Sequence, residues 1–315
     1  MPKFSIIIPL YNKEKDIAKT LNSLFLQTET DYEIVLVNDG STDNSEGVVT
    51  NFDDARIRYF SKENEGVSKT RNFAVTKATS QHIVFLDADD YWYPNHLENL
   101  DGLIHSFPSE QWYATAYEKR HHKNFISSMR SPILKKPSGW KGLVPNYFEN
   151  SLIDPLAWTS AVCFKKTFFE SLDGFDTAIT HGAGEDTDLW IRAALQAPLV
   201  FSTEITARHN LDGTNRISNT PTLIRKFMDV GVYEKEIENH PGLKAYLDIN
   251  RFSFAMQHKM AGDLSTFKMF AKDIDTNNLT GKQRYMLKQP KQVLRLLLKG
   301  KALAEKAGIR LTSFN

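Results

Sequence analysis

The chain has 315 residues, of which 41% are hydrophobic and 24% charged, and its formal net charge is +1. This balance is ordinary for a soluble globular protein and gives no electrostatic reason to bind nucleic acid. A single cysteine, Cys163, excludes an internal disulfide framework, and no apolar run nears the roughly 20 residues that span a bilayer.

Met1-Pro2-Lys3 leads straight into a strand-like run, without the basic, apolar and cleavage regions of a secretory leader, so a cytoplasmic location is expected. Phe4 to Pro9 reads as a buried strand closed by a proline that cannot continue the ladder. From Asp16 to Gln27, Ile17, Leu21, Leu24 and Phe25 recur at helical spacing. Glu33 to Val37 is a second buried strand, ending in Asn38-Asp39-Gly40-Ser41. A third, Ile57 to Phe60, precedes a helix from Val67 to Ala78, and Ile83 to Leu86 is the fourth. This alternation predicts an α/β fold: a mostly parallel, Rossmann-like sheet flanked by helices.

From Trp92 to Asp154 the sequence is aromatic, proline-punctuated and weakly periodic, and is expected to mix helices, loops and antiparallel edge strands. Trp158 to Phe164 reads as a return strand, with Cys163 an inert core thiol. Gly182-Ala183-Gly184 precedes Glu185-Asp186, which open a helix running to Gln196. Composition shifts near Thr220. Helical patterns follow over Leu223 to Ile237, Leu243 to Met260 and from Asp263 onward, and the last thirty residues are basic and leucine-rich.

Chemistry concentrates at strand ends. The fourth strand runs into Asp87-Ala88-Asp89-Asp90, more negative charge than a strand interior can bury unpaired. These acids therefore belong at the strand's exit, where open α/β sheets bind ligands. Asp87 and Asp89 project to one side and offer oxygen ligands to a hard divalent cation, while Asp90 points away. Asp39 sits at the exit of the second strand, either serving a tight turn or accepting hydrogen bonds from a base or ribose. Asn64-Glu65-Gly66 opens a helix whose free amides suit an anion, and Arg71 lies about a turn further on, facing a phosphate or base or else an ordinary surface charge. Glu185 and Asp186 either complement their helix dipole or stand as a base beside a bound sugar. His209 follows Arg208 and is either structural or a metal ligand.

Taken together, Ser5 to Asn12, Val37 to Asp43, Asn64-Glu65-Gly66 with Arg71-Asn72, Phe85 to Asp90, and Gly184-Glu185-Asp186 with Leu189-Trp190 resemble the family 2 glycosyltransferases of the GT-A fold, from Ser5 to about Ser218. The resemblance implies an inverting, metal-dependent enzyme that uses nucleotide-diphosphate sugars, most commonly UDP-sugars. It implies Pro9 and Tyr11 flanking the nucleotide, Asp39 on the base with Asn64 and Arg71, and Asp87 and Ala88 on the donor. Asp89 would ligate Mn²⁺ or Mg²⁺, Asp186 would be the catalytic base, and Glu185 would contact donor or acceptor sugar. Arg208 and His209 resemble a late segment that closes over the diphosphate, with His209 a further metal contact. Here Ala207 replaces the family's tyrosine, and the histidine follows the arginine without a gap.

The expected division is a GT-A catalytic domain over 1–220, comprising a nucleotide-binding half (1–90) and an acceptor and base half (91–220). A helical C-terminal region over 221–315 follows, ending in a basic amphipathic tail. That tail is either a solvated face or a peripheral contact with the inner face of the membrane. The expected acceptor is a hydroxyl of a glycan or lipid-linked glycan in bacterial surface polysaccharide synthesis. The alternatives are an inactive nucleotide-sugar binder or a sugar nucleotidyltransferase, which needs a basic glycine-rich loop absent from the first strand's exit. A dehydrogenase would need glycines after the first strand, where Pro9 to Glu14 has none.

Overall fold

A computed structural model describes residues 1–123, 125–213 and 215–306. The strands are β1 (Phe4–Leu10), β2 (Tyr32–Asp39), β3 (Ile57–Lys62), β4 (His82–Phe85), β5 (Tyr91–Trp92), β6 (Trp112–His122), β7 (Phe125–Ser128), β8 (Lys141–Leu143), β9 (Val162–Lys165) and β10 (Leu199–Asn210). They form one sheet in the order β3-β2-β1-β4-β9-β6-β10-β5, with β7 paired to β6 and β8 to β10. The first four strands in that order are parallel, with Ile6 opposite both Ile34 and Val84. β9 runs antiparallel to both β4 and β6, and β6 and β10 are parallel.

Helices α1 (Ile17–Phe25), α2 (Ser45–Thr50), α3 (Val67–Lys77), α4 (His96–Ser106), α5 (Tyr147–Asn150), α6 (Lys166–Ser171) and α7 (Glu185–Gln196) flank this sheet. α1 turns Ile17, Leu21 and Leu24 inward, as their spacing requires. Beyond β10 come 3₁₀ turns and then α8 (Leu243–Ala261), α9 (Leu264–Lys272), α10 (Gly281–Lys288) and α11 (Lys291–Lys306).

Three features depart from the sequence reading. β6 lies inside the sheet rather than at an edge, and its first six residues, Trp112 to Tyr117, are all buried. The pattern expected to make a helix over Leu223 to Ile237 instead forms short 3₁₀ turns, Thr222–Ile224 and Val230–Asn239. Pro9 does not close β1, which continues to Leu10. Ile7 shares its parity, and the Ile7 carbonyl accepts the Leu86 amide on the β4 side. The missing N–H of Pro9 therefore faces the side where β4 has already ended, so no ladder bond is lost.

Candidate active site

Five residues past β4, the chain is pinned by its own buried acid. Asp90 accepts the Ser160 hydroxyl at 2.6 Å and the Asn210 amide at 2.9 Å. The same Ser160 oxygen accepts the Asp87 amide, and the Asn210 side chain donates to the Asp89 carbonyl at 2.7 Å. Thr20 places its hydroxyl 2.8 Å from the Asp90 carbonyl. A loop with three acids is thus braced from α1, β10 and the turn before β9. Asp90 is buried in these contacts, and the chain reaches it through a turn at Ala88-Asp89, closed by the Asp90 amide on the Asp87 carbonyl, rather than through the extended backbone expected. Burial, with Asp89 and Asp87 close by, pushes its carboxyl well up.

Asp39 ends β2 and is buried. Its carboxylate accepts the Lys62 ammonium at 2.6 Å, the Glu65 amide at 3.0 Å and the Gly66 amide at 2.9 Å, while Asn64 donates to its carbonyl. Burial pushes this carboxyl up, but Lys62 and the backbone donors outweigh it and hold it below the usual range. Gly40 has φ +69°, and a Cβ there would lie 2.8 Å from the Asn64 amide nitrogen, so only glycine allows these two turns to meet.

Arg71, on α3, is not a surface charge. Its side chain is 5% exposed, bonds Asp87 Oδ1 at 2.5 Å and lies over the Phe175 ring. The fields of Asp87, Glu185 and Asp186 all act on its guanidinium. The two acidic clusters, about a hundred residues apart in sequence, therefore converge on one arginine.

Gly184, at φ +107°, caps α7 and turns the chain so that Glu185 and Asp186 enter the cleft. Glu185 is 5% exposed and its Oε2 has no hydrogen-bond partner. Burial and the neighbouring Asp186 raise it to about 7 despite Arg71. Asp186 is half-buried and accepts the Thr187 amide at 2.7 Å. It too is raised, by burial first and also by Asp87, against the pull of that amide and Arg71. Tyr147 and Tyr246, from α5 and α8, close the far side and feel the Asp186 charge.

Asp89 is bonded by Lys13 Nζ at 2.6 Å, yet burial and the repulsion of Asp87 and Asp16 still push its carboxyl up. Asp89 and Asp87 carry the carboxylate oxygens that a hard divalent cation takes and would be the residues to hold one, each being paired here with a cationic side chain, Lys13 and Arg71. His209 does not join them. Its ring stacks on Trp158 at 4.8 Å, and its Nε2 lies 3.4 Å from the Arg216 guanidinium. Burial and the charges of Arg216, Lys119 and His121 depress it to about 3. Among the described residues no three His, Cys, Asp or Glu side chains are grouped as metal ligands. Arg208 bonds Glu118 Oε1 at 2.7 Å, donates to the Tyr93 hydroxyl and packs over the Tyr91 and Tyr93 rings. Tyr11 is 41% exposed beyond β1. Ala88 is buried between Asp87 and Asp89.

The profile of glycosyl transferase family 2 matches residues 5–171, just over half of the chain. The chain belongs to this family. An uncharacterized glycosyltransferase of Rickettsia felis is 30% identical over 224 residues, covering 69% of this chain and 36% of that protein. The uncharacterized glycosyltransferase EpsJ of Bacillus subtilis is 43% identical over 93 residues, covering 29% of this chain and 27% of that protein. The chain thus spans about a third of the length of these family 2 relatives. The S. aureus TarS structure in complex with UDP-GlcNAc superposes with a TM-score of 0.59 at 17% identity, over 86% of this chain and 90% of that one. The GT-A fold expected from the motifs is borne out, with helices following the catalytic-type sheet.

Sequence reading missed several residues of this cleft. Lys13 lies three residues past β1, at the same sheet end as Asp89, and that position was its available signal. Ser160 and Asn210 had none, because a lone serine and a lone asparagine carry no pattern. Tyr246 was hidden within an ordinary helical periodicity.

Proposed function

We propose that this family 2 protein is an inverting glycosyltransferase, moving a sugar from a nucleotide-diphosphate donor, a UDP-sugar, to a hydroxyl of a glycan or lipid-linked glycan in bacterial surface polysaccharide synthesis. The observation that carries the reading is Arg71, buried, paired with Asp87 and within the field of the raised Glu185–Asp186 pair. Such a cleft places a charge-handling group next to a base of elevated proton affinity, which sugar transfer requires. UDP-GlcNAc bound to TarS supports the choice of donor class.

In this reading Pro9, Tyr11, Asp39 and Asn64 surround the nucleotide, and Asp87 and Ala88 line its ribose and diphosphate. Arg71 orients Asp87, and Lys13 and Arg208 supply positive charge near the diphosphate. A divalent cation at Asp89 would add Lewis-acid stabilisation of the leaving group. Asp186 takes the proton of the acceptor hydroxyl as its oxygen bonds to the sugar's C1. The bond from C1 to the diphosphate oxygen breaks, and the electron pair leaves with the UDP. One base and no enzyme nucleophile give a single displacement with inversion.

Asp186→Asn keeps the shape of the site and removes the base. Calorimetry should show UDP binding unchanged, while UDP release from UDP-GlcNAc should fall by about 10²- to 10⁴-fold. Near-normal turnover in that variant would reject Asp186 as the base. No UDP release by the unaltered chain from a panel of UDP-sugars with Mn²⁺ would favour an inert binder.

A further inference from the structure

A cavity of about 1380 Å³ lies outside the acidic cleft, between α8, α10, α11 and the turn at Thr222–Ile224. It exceeds the roughly 300–1,000 Å³ of ordinary small-molecule sites. Its walls are apolar: Phe252 and Met256 from α8, Tyr285 from α10, and Leu294, Leu297 and Leu298 from α11. Leu297 and Leu298 remain 45% and 49% exposed although they face this groove. Leucines at 294, 297 and 298 form one stripe of α11, with Lys301 a turn further along it. The apolar face is thus only partly covered.

The charged residues of the groove are all cationic. Arg225, Lys282 and Lys301 line it, and residues 280–306 carry eight lysines and arginines against the single acid Glu305. A long apolar trough edged by positive charge suits an amphiphile with a hydrocarbon tail and an anionic head.

α8 borders both the trough and the acid pair, with opposite faces. Phe254 packs on Gly184, where an added Cβ would lie 3.2 Å from its ring, and the adjacent Phe252 and Ser253 line the groove. Arg225, in the groove wall, also feels the charge of Glu185. We infer that the groove holds the hydrocarbon tail of a phosphate-bearing acceptor lipid, with its phosphate among Arg225, Lys282 and Lys301 and its sugar end directed to Glu185 and Asp186. This inference rests on the glycosyltransferase reading for the word acceptor, and on the groove alone for the lipid.

The full chain is titrated by calorimetry with dodecyl phosphate below its micellar concentration, and in parallel with dodecyl maltoside and inorganic phosphate. Dodecyl phosphate should bind and the other two should not. Leu297→Glu with Leu298→Glu should weaken that binding by at least about tenfold. Lys282→Gln with Lys301→Gln should weaken it severalfold. UDP release from UDP-GlcNAc into water should be unchanged in both variants. Lack of binding, equal binding of the neutral detergent or of free phosphate, or unaltered binding in the double glutamate variant would overturn the inference. So would a wild-type dimer on gel filtration that the same variant converts to a monomer, since a second copy would then cover the face. Lipid binding without UDP release in any form supports the lipid site and removes the transferase reading.

Discussion

Glu185 is a carboxyl kept in an apolar, poorly solvated place, and its cost depends on pH. Its folded value, about 7, lies above the ordinary 4.5, so the folded chain holds the proton more tightly than the unfolded one. Stability from this group is therefore full below pH 4.5 and is lost as pH rises through 7. Glu185→Gln removes the ionisation and should raise stability at pH 8 by on the order of 3 kcal/mol, with little change near pH 4.5. Urea melts at the two pH values measure it, and an equal shift at both would assign the effect to packing instead. The acids after β4 were legible in the sequence because a buried strand cannot carry three carboxylates, and Glu185 and Asp186 because they open a helix behind Gly182-Ala183-Gly184. Their partners were not. Sequence leaves Arg71 between a ligand contact and a surface charge until the fold buries it under Phe175, and leaves His209 between a structural role and a metal ligand, where the fold shows its ring against Trp158 and Arg216.

At the scale of elements, α7 owes its position to a backbone conformation that side chains resist. Gly184 sits at φ +107°, and a Cβ there would meet Met228 at 2.9 Å and Phe254 at 3.2 Å. Gly184→Ala should destabilise the chain by about 1–3 kcal/mol and lower UDP release more than UDP binding, because the acid pair shifts while the nucleotide pocket does not. Denaturant titration and the KM-against-kcat split check the two halves. The parallel strands β1, β2 and β4 were legible as continuous apolar runs, as buried parallel strands are. β6 was not, since its alternation of aromatic residues with alanine and threonine fits several environments. Its place is set by β9 and β10, which lie 40 and more residues away. The stretch after Thr220 keeps helical spacing, but in 3₁₀ turns, a distinction periodicity cannot make.

At the scale of the molecule, the described residues form two apolar clusters, and α8 belongs to both. Leu243, Tyr246 and Leu247 join the main core, while Phe252 and Met256 pack with Ile274, Leu279 and Leu294 in a smaller one. Stability should follow that division. Leu294→Ala should cost the small cluster about 2–5 kcal/mol and speed hydrogen exchange in α10 and α11, leaving amides of β1, β2 and β4 as protected as before. Uniform loss of protection would instead make the two clusters one cooperative unit. Among the described residues no helix is long and apolar enough to cross a membrane.

The capture of the 65 and 66 amides by Asp39 has an engineering consequence. The residue that the proposed function places on the base is also the clamp that starts the helix bearing Arg71. Swapping it to switch nucleotide preference would disturb the electrostatic hub one turn later. Donor redesign here has to begin at Tyr11 or Asn64, leaving that clamp in place.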